Sequence, residues 1–170
     1  MYSISYDTVL ARISSANSPK LLMTYAKNIE RSVHYKRIET SFLKLAEMAR
    51  LKSNRMSLAE KLPSVDNLSE LDVIAKKKIA EASALLGHKS FTGRMIQMIK
   101  RYGFAGSQIH LVRKRGVGKG NFHKLCSLGR ADLTAEHFVH QYGSHLVDGE
   151  VLNDCVSALS EVNAVPQVSC

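Results

Sequence analysis

The chain has 170 residues, 45% hydrophobic and 23% charged, which is ordinary globular usage and excludes wholesale disorder. One domain, or one domain with small appendages, can bury a core at this length without disulfides or metal. The net charge of +9 is segmented: residues 1–81 carry a net +5, residues 82–131 carry ten basic and no acidic side chains, and residues 132–170 carry six acidic side chains and no Lys or Arg.

At the N-terminus, Met1 to Ser14 lacks a basic region ahead of an apolar core, and no window holds about 18 consecutive apolar residues. The expectation is a cytoplasmic chain with no membrane partner. Ser18-Pro19 predicts a helix start, with Ser as cap and Pro in the first turn. Leu22, Tyr25, Ile29, Val33, Phe42, Leu45 and Ala49 then recur at three- and four-residue steps, the stripe of a core-facing helix. That stripe runs from about Pro19 to Leu51, longer than a typical helix, and implies either a break near His34 or one helix along the whole domain.

Ser53-Asn54 and Leu62-Pro63-Ser64 interrupt the pattern and mark a hinge, because the residue before Pro avoids the helical region. Residues 1–62 are expected to form an N-terminal helical segment, 63–162 a basic helical and hairpin region with acidic C-terminal helices, and 163–170 a tail. Ser69-Glu-Leu-Asp72 reads as a capping box with Asp in place of Glu, opening a helix through Leu85 that Gly87 ends. Ser90 starts another helix, carrying Met95, Ile96, Met98 and Ile99 to Tyr102-Gly103.

Beyond Gly106, Gln108 to Arg113 alternates polar and apolar residues, and Asn121 to Cys126 is its partner across Gly116-Val-Gly-Lys-Gly120, which predicts a β-hairpin with a basic tip. Thr134 caps a helix through about Tyr142, and Asp148 begins the last one. The fold class is therefore mainly α, a helical domain with a helix-turn-helix-like pair and one β-hairpin.

Residues 80–103 have the grammar of a helix-turn-helix: an Ala-rich helix, Gly87 at the turn, Ser90 as cap, and Arg94, Gln97, Lys100 and Arg101 on a second helix able to reach bases and phosphates. Ala84-Leu-Leu-Gly87, followed by a helix ending in Lys100-Arg-Tyr-Gly103, resembles the helix-turn-helix of the Fis family, found at the ends of bacterial enhancer-binding activators. The resemblance implies DNA binding and transcription regulation. The interval from Gly87 to Tyr102 is about two residues longer than that pattern.

Residues 112–124 form the densest basic cluster. Glycines let backbone approach phosphates, Arg113, Lys114, Arg115, Lys119 and Lys124 neutralise them, with Lys89 adding to the field, and Phe122 offers a stacking face to an unpaired base. Gly116-x-Gly118-Lys119 is not a nucleotide-triphosphate loop, since its spacing is wrong and no Ser or Thr follows. His123, Cys126, His137 and His140 have zinc-compatible chemistry at an unusual spacing, and the same histidines could serve metal-free RNA cleavage; neither is the favoured reading, and no metal or cofactor is expected. Three cysteines, Cys126, Cys155 and Cys170, form no C-x-x-C pair and suit a reducing compartment.

The expected function is a nucleic-acid-binding regulator or accessory protein, for DNA or structured RNA, rather than an enzyme. The competing class is a protein-interaction module or inhibitor that docks its basic face on an acidic partner or a nucleic-acid machine.

Overall fold

A computed structural model describes residues 5–64, 67–87 and 93–163, with the backbone alone at Arg115. Among these residues the chain is mainly helical and holds no strand: α1 (Tyr6–Ser15), α2 (Pro19–His34), α3 (Leu43–Ala59), α4 (Glu70–Leu86), α5 (Gly93–Arg115), α6 (Phe122–Ser127), α7 (Ala135–Tyr142) and α8 (Gly149–Glu161), joined by loops and short 3-10 turns. The chain forms two compact units, residues 1–61 with 83–88, and residues 62–82 with 89–170.

The first unit is built on the expected stripe. Ser18 caps α2 by accepting the Leu21 N–H, with Pro19 in the first turn. The helix breaks at His34, as one of the two expectations had it: Lys36 takes a left-handed conformation (φ 53°), and the N–H groups of Lys36 and Arg37 close back on Val33 and Ser32, a Schellman-type stop. Leu22, Ala26, Ile29, Phe42, Leu45, Ala46 and Ala49 are buried together, and Tyr25 and Val33 pack against them. Tyr6 of α1 meets Phe42 edge to face at 5.4 Å. The alanines let α2 and α3 approach closely along their length.

Ser53-Asn54 does not break the chain, contrary to expectation. α3 runs on to Ala59 because both polar side chains find partners: the Ser53 hydroxyl donates to the Pro19 carbonyl at 2.9 Å and the Asn54 amide to the Ala84 carbonyl at 2.9 Å. The interruption at Leu62-Pro63-Ser64 is real.

In the second unit the capping box holds: the Ser69 hydroxyl accepts the Asp72 N–H and donates to Asp72 Oδ2 at 2.7 Å. Gly87 follows the end of α4 with φ 86°. The expected helix start at Ser90 lies outside the described residues, as does the tail beyond Asn163.

The β-hairpin is replaced by helices. Residues 104–115 continue α5, the glycine-rich stretch is a loop, and Phe122 to Ser127 is α6. The apparent alternation misled because Ser107 and Gln108 are buried alongside Phe104, Ala105 and Val112; counting them as inward-facing restores a helical period. Thr134 caps α7 by accepting the His137 N–H at 3.2 Å, and α8 follows Asp148.

Candidate nucleic-acid interface

The site rests on an elbow. α5 is two helical arms, 93–102 and 104–115, joined at Gly103, whose φ of 74° and ψ of −180° are non-helical. That conformation is essentially reserved for glycine. The bend frees the first N–H groups of the second arm, and Asp72 satisfies them: its Oδ1 accepts the Ala105 N–H at 2.9 Å. One carboxylate thus closes its own capping box through Oδ2 and caps a second helix through Oδ1. Burial works to raise the Asp72 carboxyl, but the Ala105 N–H, the Ser69 hydroxyl and N–H and the Phe104 N–H outweigh it and hold the group below its ordinary value. A depressed carboxylate stabilises the fold above its unfolded-state pKa and loses that contribution as pH falls through its lower folded value. The stability advantage of the native chain over Asp72→Asn is therefore expected to be full at neutral pH and to shrink below about pH 4, as urea unfolding across that range would measure.

The two arms face each other across a groove of about 350 Å³, lined by Arg94, Gln97, Met98 and Arg101 from the first arm, Tyr102 at the bend, and His110 and Lys114 from the second. Steps of three, four and seven residues place the first four on one helical face, and the four-residue step from His110 to Lys114 does the same opposite. Tyr102 stacks on His110, centroids 4.5 Å apart at 20°, and the Arg101 guanidinium lies over the Tyr102 ring at 5.2 Å. Gly106 leaves room for this: a Cβ there would sit 3.1 Å from the Tyr102 Cβ. Three cations and a histidine converge with no acidic residue in the lining, and among the described residues none of Arg94, Arg101 and Lys114 is in an ion pair.

The other basic residues are dispersed. Lys100, Lys119 and Lys124 are exposed outside the groove lining. Arg113 makes an exposed ion pair with Asp148 at 3.4 Å, so part of the basic centre is matched by the acidic C-terminal segment. Arg130 bonds Asp132 and Glu81 at 2.9 and 2.8 Å, and these carboxylates raise its pKa above the ordinary value. Phe122 offers no face to a base, since it is 2% exposed; its ring belongs to the interior. Lys89 and the Arg115 side chain lie outside the described residues.

The glycine loop is already engaged from below. The Gly118 N–H donates to Oε1 of Glu136 at 3.0 Å, and Glu136 is 5% exposed. Burial pushes the Glu136 carboxyl up, against its own N–H, the Gly118 N–H and the nearby His123. Burial and the same carboxyl raise the Cys126 thiol, and together with Asp154 they push Cys155 up to about 12. Both thiols are free and held in the unreactive protonated form.

Among the described residues no three His, Cys, Asp or Glu side chains are arranged to hold a metal, so His123, Cys126, His137 and His140 are not brought together as ligands. Burial and Lys78, over the opposing pull of Asp132, lower the His137 pKa; the Nδ1 atoms of His137 and His140 are buried without hydrogen-bond partners among the described residues.

The sequence pointed to Arg94, Gln97, Arg101 and Lys114 but missed Met98, Tyr102 and His110. The signal was present in the i, i+4 relation of His110 to Lys114, hidden while that stretch was read as a strand. No helix among the described residues is long and apolar enough to cross a membrane. No protein family, curated protein or solved structure matches the chain.

Proposed function

We propose that the chain is a nucleic-acid-binding regulator or accessory protein that grips phosphate with the elbow groove of α5. The observation that carries this reading is the convergence of Arg94, Arg101 and Lys114 with His110 and Gln97 in one concavity free of acidic side chains. Guanidinium forks match phosphate oxygens in two-point hydrogen bonds, and the ammonium adds a point charge. Lys100, Lys119 and Lys124, exposed outside the groove lining, add to the field that concentrates a polyanion. Phosphate contacts give affinity and position without sequence information, which suits an accessory role.

Binding of a labelled oligonucleotide, followed by fluorescence anisotropy at increasing salt, tests the proposal. Affinity is expected to fall linearly on a log–log plot, by about 0.7 per phosphate contact for a single strand and about 0.9 for a duplex. Absence of binding at low salt, together with binding of an acidic polypeptide such as polyglutamate, would replace this reading with the protein-interaction module.

A further inference from the structure

The side chains that a recognition helix would send into a duplex, Arg94, Gln97 and Arg101, instead line the inner wall of an elbow, with Lys114 of the same chain opposite. A major groove is itself a trough that receives a protruding helix. A concave cationic wall does the converse and receives what protrudes from the nucleic acid. In a paired duplex the bases are stacked inside; in a single strand each nucleotide can be splayed outward.

The dimensions and chemistry of the groove agree with such a ligand. About 350 Å³ falls at the lower end of small-molecule sites, more room than a bare phosphate needs. Arg94 and Arg101 stand seven residues apart, about 10 Å along the arm, with Gln97 and Met98 between them. Gln97 brings both donors and an acceptor, the set that reads the edge of an unpaired base, and Met98 brings an adaptable apolar surface for its face.

We infer that the elbow groove of α5 holds one unpaired nucleotide of a single-stranded nucleic acid, with successive phosphates of the strand on Arg94, Arg101 and Lys114 and the base beside Gln97 and Met98. This inference rests on the nucleic-acid reading of the same groove. It replaces duplex reading by this helix with recognition of an exposed strand.

The test compares the full chain binding a labelled oligonucleotide of about twelve nucleotides, single-stranded and annealed to its complement, at equal low salt, with a nucleoside monophosphate as competitor. The single strand is expected to bind about tenfold more tightly or better, and the monophosphate to displace it. Gln97→Ala and Arg101→Ala are each expected to weaken single-strand binding several-fold while leaving the urea unfolding curve in place, and Lys27→Ala, exposed on α2, removes an equal charge as control. Equal or tighter duplex binding, or failure of the monophosphate to compete, overturns the inference and leaves the nucleic-acid reading standing. Absence of binding to both forms overturns both.

Discussion

Gly103→Ala is expected to destabilise the second unit by about 3 kcal/mol, seen as a lower urea midpoint at unchanged slope. Two costs add. Alanine is strained at a φ of 74° and ψ of −180°, and its Cβ would stand 3.0 Å from Asp72 Oδ1, displacing the carboxylate that caps the second arm. The sign is diagnostic: in a straight helix the same change would stabilise by about 0.5–1 kcal/mol. Gly149→Ala is the control, since nothing lies within 4 Å of a Cβ there and its φ is not positive. That change is expected to be neutral or stabilising by up to about 1 kcal/mol. Stabilisation by Gly103→Ala would remove the elbow, and with it the groove.

Replacing Arg94, Arg101 and Lys114 together by Ala is expected to weaken oligonucleotide binding about 100-fold, close to 2.7 kcal/mol, and to flatten the single-strand salt slope by about 2. The three positions are exposed, so the unfolding midpoint should move little. Lys119→Ala with Lys124→Ala removes exposed charge outside the groove and is expected to cost less than about fivefold. Equal losses from the two sets would mean that diffuse charge, and not the groove, holds the ligand.

The first unit was legible because its stripe from Leu22 to Ala49 is apolar at nearly every inward position, and hydrophobic period is the strongest secondary-structure signal. The caps at Ser18, Ser69 and Thr134 were legible for a different reason: a short hydroxyl ahead of a periodic run has one efficient use, accepting an N–H two or three residues on. The second half of α5 was not legible. Its buried face includes Ser107 and Gln108, and a polar residue turned inward is invisible to a pattern that sorts polar from apolar. The elbow was hidden for a related reason. Gly103 ended a helix in the sequence reading, but whether the chain resumes beyond such a glycine depends on a cap supplied by Asp72, more than 30 residues earlier. The cationic residues of the groove were nonetheless identified, since their charge and helical spacing are properties of the chain itself.

The placement of the thiols lets the opening of the second unit be followed by itself. All three cysteines of the sequence fall within residues 89–170, and none in residues 1–61 or 83–88. Cys155 is fully buried and its thiol is pushed up to about 12, so an alkylating reagent must wait for the structure around α8 to open. The rate at which that thiol is trapped, as denaturant rises, is a clock on the opening of the unit that carries the groove. Loss of the helical signal from the whole chain records both units together. Where the two measurements part, the chain unfolds in two steps, and the cysteine clock says which step belongs to the second unit.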